Sequence, residues 1–351
     1  MHIKIQKPVI ESIINQVIPF TEKKDNTMIT SHILINAKEN KLTIKATDKE
    51  MGIKIITQAE ILEEGKITIN GRKFSEIIKT LKNKDIEIKS ENEQITITQE
   101  SSIYKLNSFN PEEFPEFPKP EDLNKLNIKN EEFIDAIKKI FPVIDTNNPK
   151  YELNGALFDI KEKTNFVSTD TRRLALYYSD ANGKENQIIV PKRAISEIKR
   201  VFKEDMEIFY DNVFLILKNE NTLFFTKLIN GTFPTYERII PKSFKYEIDI
   251  PKNEFLSHLK QVSIISNEVR IKIFPDKIEF ESISDETMQA KTSFECKCNI
   301  DEFTFAVNSR YLMDFLNIIN SENFKLCLNE PNIPFMLKED KFITIVMPLN
   351  I

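Results

Sequence analysis

Two patterns recur three times along this chain, in the same order and at nearly the same spacing. The first begins on a short extended stretch and passes into helical periodicity. Ile5-Gln6-Lys7-Pro8-Val9-Ile10 continues to Ile14 and Val17; Ile128 leads to Phe133, Ile137 and Ile140; Ile250 leads to Phe255, Leu259 and Val262. Apolar residues three and four apart mark one face of an α-helix. The second pattern is Ile69-Asn70-Gly71-Arg72, Val190-Pro191-Lys192-Arg193 and Val307-Asn308-Ser309-Arg310, each ahead of an amphipathic segment. Corresponding positions stand 115–123 residues apart, and the 351-residue chain is three such lengths.

Strand-like runs separate the helices, at 41–46, 94–98, 156–160, 164–168, 213–217, 270–274 and 278–282. An acidic turn recurs among them as Thr47-Asp48, Thr169-Asp170 and Ser284-Asp285. Pro8 suits a first helical position, and Asn130 before Glu131-Glu132 suits an N-cap. Each unit is therefore two helices and several strands, an α+β domain. Proline clusters place the linkers: Pro111, Pro115, Pro118 and Pro120 at the first junction, and Pro234, Pro241 and Pro251 around the second. The expected domains are 1–119, 120–242 and 243–351.

Composition removes several function classes. Only six glycines are present, at 52, 65, 71, 155, 183 and 231, and none has the spacing of a phosphate-binding loop. Three histidines, with no H-E-x-x-H, C-x-x-C or G-x-S-x-G, leave no catalytic constellation despite 54 Asp and Glu. A metal-dependent nuclease is the enzyme alternative, and a protein-binding repeat scaffold is the other. No cofactor and no metal site is expected. Cys296-Lys297-Cys298 reads as a C-x-C on a strand, too few ligands for a metal and too few cysteines with Cys327 for a disulfide framework. Reduced cysteines, a charged N-terminus and no long apolar run point to the cytoplasm and away from a membrane.

The formal net charge of -5 excludes a uniformly basic nucleic-acid binder. It also conceals a segregation. Residues 69–84 and 190–203 each carry +4, whereas 307–322 carries -1. The six helical segments together carry +9, leaving -14 on the remainder. Basic helices at equivalent places in an acidic chain suggest a surface that faces phosphates.

Several short motifs make the chain similar to the bacterial DNA sliding clamp family, the beta subunit of the replicative DNA polymerase III. They are Thr47-Asp48-Lys49-Glu50-Met51, Arg72-Lys73-Phe74, Tyr151-Glu152-Leu153-Asn154-Gly155, Thr169-Asp170-Thr171-Arg172-Arg173-Leu174-Ala175, Ile188-Ile189-Val190-Pro191, Asn230-Gly231-Thr232-Phe233-Pro234-Thr235-Tyr236, Ser266-Asn267-Glu268 and Val346-Met347-Pro348-Leu349. The resemblance spans essentially the whole chain. It implies three similar clamp domains per chain, with helices lining a central hole and sheets forming the outer shell of a head-to-tail homodimeric ring. It implies no covalent catalysis: the ring encircles duplex DNA without sequence preference and tethers polymerase, clamp loader and repair proteins through short peptide motifs.

Site residues follow from both lines. The basic helices nominate Arg72, Lys73, Lys79, Lys192, Arg193, Lys199 and Arg200 for DNA, and the resemblance adds Lys24, Lys150 and Tyr151. It implies a partner-peptide pocket of Leu153, Thr169, Arg173, Leu174, Pro234, Arg238, Ile239, Pro334, Ile345, Met347, Pro348 and Leu349. It implies a dimer contact of Tyr104 and Leu106 against Ile264 and Ile265. Two departures stand out. Thr171-Arg172 replaces the common Gly-His, crowding and charging the pocket rim, and Asn350 replaces a common Arg.

Overall fold

The computed structural model describes every residue except 204, 285–287 and 351. The fold comprises two compact units, one of residues 1–126 and 200–228, the other of 127–199 and 229–351. The expected repeat is present in the order of elements. Each third of the chain runs strand, helix, four strands, helix, three strands, with one additional short strand, Glu60–Glu63, in the first third.

Among the described residues six α-helices carry the repeat: α1 (Lys7–Val17), α2 (Gly71–Thr80), α3 (Asn130–Ile140), α4 (Lys192–Val201), α5 (Lys252–Ser263) and α6 (Ser309–Leu316). Their apolar stripes are buried, as the spacing requires: Ile10, Ile13, Ile14 and Val17 in α1, Phe133, Ile137 and Ile140 in α3, Phe255, Leu259 and Val262 in α5. Each such side chain contributes roughly 1.5–3 kcal/mol of transfer free energy. Asn70 caps α2 by accepting from Lys73 N at 3.0 Å, and Asn308 caps α6 from Arg310 N at 3.0 Å.

Two helix starts differ from expectation by one residue. Pro8 occupies the second helical position of α1. Asn130 is the first residue of α3 and not its cap, because Phe133 N already donates to Lys129 O at 3.0 Å and opens the helical ladder one residue earlier. The Cys296-Lys297-Cys298 run also differs. The strand Lys291–Glu295 ends before it, and both thiols are buried, Cys298 Sγ lying 3.3 Å from Cys296 O. Burial pushes the Cys298 thiol up to about 12. Such thiols are inert packing groups.

The sheets position everything else, and all their pairings are antiparallel. In the first unit an eight-stranded sheet joins the first third of the chain to the second. Its joint is Met51–Gln58 against Thr222–Lys227, with Gly52 opposite Phe225. In the second unit an equivalent eight-stranded sheet has its joint at Arg173–Ser179 against Phe342–Val346, with Leu174 opposite Ile345. Thus the same pair of strand positions makes both joints. The remaining two sheets end on the two copies of those positions that have no such partner. The five-stranded sheet of the first unit ends on Ser102–Asn107, and the four-stranded sheet of the second ends on Lys291–Glu295. Neither end strand contains a buried residue, whereas all five residues of Phe342–Val346 are buried. Among the described residues no helix is long and apolar enough to cross a membrane.

Candidate functional site

The acidic turn that recurs in the sequence is a recurring hydrogen-bond device. Thr169 Oγ1 donates to Arg173 O at 2.7 Å and accepts from Thr171 N at 3.1 Å, while Asp170 Oδ1 accepts from the amides of Arg172 and Arg173, each at 3.0 Å. Thr47, Asp48, Lys49, Glu50 and Met51 make the same four bonds at 2.7–3.0 Å. The third copy falls partly on Asp285, outside the described residues, yet Ser284 Oγ donates to Met288 O in the corresponding way. The turn forces its third residue into the left-handed region, φ 72° at both Lys49 and Thr171. For β-branched Thr171 that conformation is strained.

Arg173 leaves this turn already committed. Its guanidinium donates to Asp170 Oδ2 at 2.9 Å, Asp314 Oδ2 at 2.7 Å and Pro142 O at 3.0 Å, and its carbon lies 4.6 Å from the Tyr311 ring centre. Buried, it clasps the turn to α6 and to the residues after α3, so its charge is spent inside the fold.

Leu153, Leu174 and Ile345 come together in one buried cluster with Phe233, Tyr236, Ile343 and Met336. Around them Pro234, Arg238, Ile239 and Met347 are exposed, and Pro334, Pro348 and Leu349 are half-buried. Tyr236 fixes the linker that carries Pro234 and Arg238: its hydroxyl donates to buried Asp159 at 2.8 Å and accepts from Asn165 Nδ2 at 2.9 Å. The chain's last residues are tied down as well, Met347 N to Arg172 O at 3.0 Å and Leu349 N to Ala306 O at 2.8 Å. The cluster is apolar, and the residues around it mix apolar and polar side chains.

The proposed DNA-facing residues fall into two kinds. Lys24, Arg72, Lys73, Lys79, Lys150, Tyr151, Arg193 and Arg200 are exposed, Tyr151 by 77%. Of these, Arg72 Nε and Lys73 Nζ both meet Glu76, at 3.2 and 3.1 Å, and Arg200 Nη2 donates to Gln16 O at 2.9 Å. Lys192 and Lys199 are half-buried and flank the Phe141 ring, 5.6 and 3.9 Å from its centre. Lys192 Nζ also donates to Ile144 O at 2.6 Å and Thr146 Oγ1 at 2.9 Å. Burial lowers the pKa of both ammonium groups. A cavity of about 970 Å³ is lined by Phe141, Asn148, Tyr151, Lys192 and Arg193, which brings three of the nominated residues to one place.

At the free sheet edge, Tyr104 and Leu106 are half-buried and Ile103 is 63% exposed. Ile264, just after α5, is 83% exposed, beside half-buried Ile265. Sequence reading passed over the second free edge, Lys291–Glu295, because its residues lack an apolar alternation. It also passed over a linker repeat, Phe114-Pro115-Glu116-Phe117 and Phe233-Pro234-Thr235-Tyr236, which stand 119 residues apart. Phe114, Phe233 and Tyr236 are buried. Among the described residues no group of three or more His, Cys, Asp or Glu is placed to hold a metal.

Comparison with known proteins agrees over the whole length. Models of the DNA polymerase III beta subunit match in order: the N-terminal domain over residues 1–118, the central domain over 127–235 and the C-terminal domain over 237–349. The chain is 34% identical over 374 residues to the beta sliding clamp of Helicobacter pylori strain J99, with 100% of both chains covered. It is 24% identical over 376 residues to the beta sliding clamp of Staphylococcus aureus Mu50, covering 100% of this chain and 99% of that one. The crystal structure of the Helicobacter pylori beta clamp bound to a DNA ligase peptide matches with a TM-score of 0.96 at 33% identity, again over 100% of both chains. With three domain matches in register and both joints built alike, the chain belongs to the DNA polymerase III beta subunit family, the beta sliding clamps, which act as processivity factors and not as catalysts.

Proposed function

We propose that two copies of the chain close head to tail into a ring around duplex DNA and hold replication and repair proteins on it. The observation that carries this reading is the pair of unmatched joint strands. Both internal joints use the same two strand positions, and one copy of each, Ser102–Asn107 and Lys291–Glu295, stands at a sheet end. A second chain offers the complementary strand at each end, so a heterologous contact that repeats the internal joint closes without a new kind of interface. Tyr104 and Leu106 would pack on Ile264 and Ile265 beside that strand pair. Domain limits of 1–119, 120–242 and 243–351 fit this assembly.

Within the ring, Lys24, Arg72, Lys73, Lys79, Lys150, Tyr151, Arg193 and Arg200 offer charge to passing phosphates, with Lys192 and Lys199 shaping the surface around Phe141. Attraction without base contacts leaves the ring free to slide. The groove of Leu153, Leu174 and Ile345, rimmed by Pro234, Arg238, Ile239 and Met347, receives partner peptides, as the Helicobacter pylori clamp receives a DNA ligase peptide. Tethering raises the effective concentration of the partner at DNA, which is the whole of the activity. Such work belongs in the cytoplasm.

The test is retention on DNA. After loading by a clamp loader, the protein should survive a high-salt wash on closed circles and be lost from the same DNA once linearised. Equal loss from both forms would reject encirclement.

A further inference from the structure

The first joint holds a cavity of about 790 Å³ that differs in chemistry from the groove at the second. One wall is the eight-stranded sheet. Lys45 stands opposite Lys54, Lys54 opposite Leu223, and Leu223 opposite Lys218. Directly opposed residues on antiparallel strands share a face, with Cβ atoms about 4.5–5.5 Å apart. Three lysines and a leucine therefore form a single row across four strands. The corresponding row at the second joint is Val167, Leu176, Ile343 and Lys338, the first three buried and apolar and the last an exposed lysine in the place of Lys218. Lys45 and Lys54 thus stand where the second joint has Val167 and Leu176.

Like charges placed directly opposite each other weaken a sheet, so this row is poorly explained by stability. Lys45 and Lys54 are both half-buried. Burial, then the charges of Lys54 and Lys66, lower the Lys45 pKa, and the roof carboxylate Glu116 only partly opposes them. Lys218 Nζ reaches Glu207 only at 3.8 Å, and Lys54 has no ion pair among the described residues. The opposite wall is the linker. Phe117 lies edge-on to Phe225, ring centres 4.8 Å apart, and Lys45 Nζ is 5.3 Å from the Phe117 ring centre. A Cβ at Gly52 would stand 2.3 Å from Phe225 and 3.0 Å from Phe117, so glycine is what lets these two rings pack together over the strand. Pro118 and Pro120 stiffen the roof, which also carries Glu116, Glu121 and Asp122 against the single cation Lys119.

We propose that this cavity is a second docking site, taking an extended acidic segment of a partner protein, with its carboxylates on Lys45, Lys54 and Lys218 and an apolar side chain on Leu223 and Phe117. It does not rest on the partner groove at the second joint. The roof decides the ligand class. Its three carboxylates repel a phosphate chain, whereas a peptide turns acidic side chains to the sheet and backbone N–H groups to the roof. Alternate side chains of an extended peptide point the same way, which suits a flat row of ammonium groups.

The probe is a fluorescein-labelled peptide, Asp-Asp-Phe-Asp-Leu-Asp, titrated with the full chain and followed by anisotropy. Binding should weaken at least tenfold in the double variant Lys45→Gln, Lys54→Gln. That variant should melt no lower than the wild type, since a repulsive pair has been removed. Lys218→Gln, at the far end of the row, should weaken binding by a smaller factor, and gives an independent reading if the double variant folds poorly. Unchanged affinity in these variants overturns the proposal. So does equal competition by a hexathymidine oligonucleotide, which would mark a general polyanion patch. So does loss of binding on removal of residues 347–351, which would put the peptide at the second joint.

Discussion

Thr169 Oγ1 donates to the carbonyl oxygen of Arg173 at 2.7 Å and so closes the turn that feeds the joint strand Arg173–Ser179. The same hydroxyl accepts the amide of Thr171. Thr169→Val keeps the shape and removes both bonds, leaving the Arg173 carbonyl only the longer bond from Asp170 N at 3.4 Å. Its expected cost is about 1–3 kcal/mol in denaturant unfolding. Thr171→Gly should act in the opposite sense. It relieves a β-branched residue at φ 72°, and roughly 0.5–1 kcal/mol of gain is expected once the added freedom of the unfolded chain is counted. A destabilised Thr171→Gly would mean that the side chain's contacts outweigh the strain.

Acid should loosen the second unit at one identifiable place. Buried Glu339 accepts from Lys139 Nζ at 2.7 Å and from Asn320 N, Ser321 N and Ser321 Oγ at 3.0–3.1 Å. Burial opposes ionisation, but these bonds prevail and hold the carboxyl below its ordinary value of 4.5. A folded value below the unfolded one gives stability that is complete above pH 4.5 and is lost as pH falls through the folded value. Glu339→Gln breaks a buried pair and should cost about 3 kcal/mol at neutral pH. The gap between wild type and variant should narrow as the pH drops below 4.5, in parallel urea titrations. A gap independent of pH would mean that charge is not what Glu339 contributes.

Much of this architecture is written in the sequence because the repeat is written there. The apolar 3–4 spacing of Phe133, Ile137 and Ile140 shows a helix, and the threefold recurrence of that spacing shows three domains. Register is different. Whether Lys45 faces Lys54 depends on how two strands align, and a slip of one residue would turn both to other faces. No local pattern in Lys45 or Lys54 marks the pairing. The cations illustrate the same limit. The sequence puts Lys192 on a basic helix, but packing against Phe141 and the Ile144 carbonyl decides that it is held inward. Arg173 likewise reads as a pocket residue, while its three acceptors sit 3, 31 and 141 residues away in the chain.

In the proposed ring, the exposed Ile264 is where a single charge should break the contact. An isoleucine left 83% exposed beside half-buried Ile265 gains little in an isolated chain and much in a covered interface. Ile264→Asp should convert a dimer to a monomer in analytical ultracentrifugation at micromolar concentration. Its melting temperature should change little, because the side chain packs on almost nothing within the chain. A wild-type chain that is monomeric under those conditions would count against the head-to-tail contact itself.

Removing residues 347–351 should separate the proposed partner groove from the proposed dimer edge. Met347 and Leu349 hold the tail through their amides to Arg172 O and Ala306 O, and Ile345 beneath them belongs to the joint strand that remains. The truncated chain therefore keeps the Leu174–Ile345 pairing and the free edges Ser102–Asn107 and Lys291–Glu295. It loses the adaptable Met347 rim and the Pro348-Leu349 wall. Affinity for a polymerase-derived or DNA ligase-derived peptide should fall by at least tenfold in calorimetry, while the sedimentation coefficient stays that of the dimer. Retained peptide affinity would place the groove elsewhere. A shift to monomer would mean that the tail supports the end of the ring as well as its partner site.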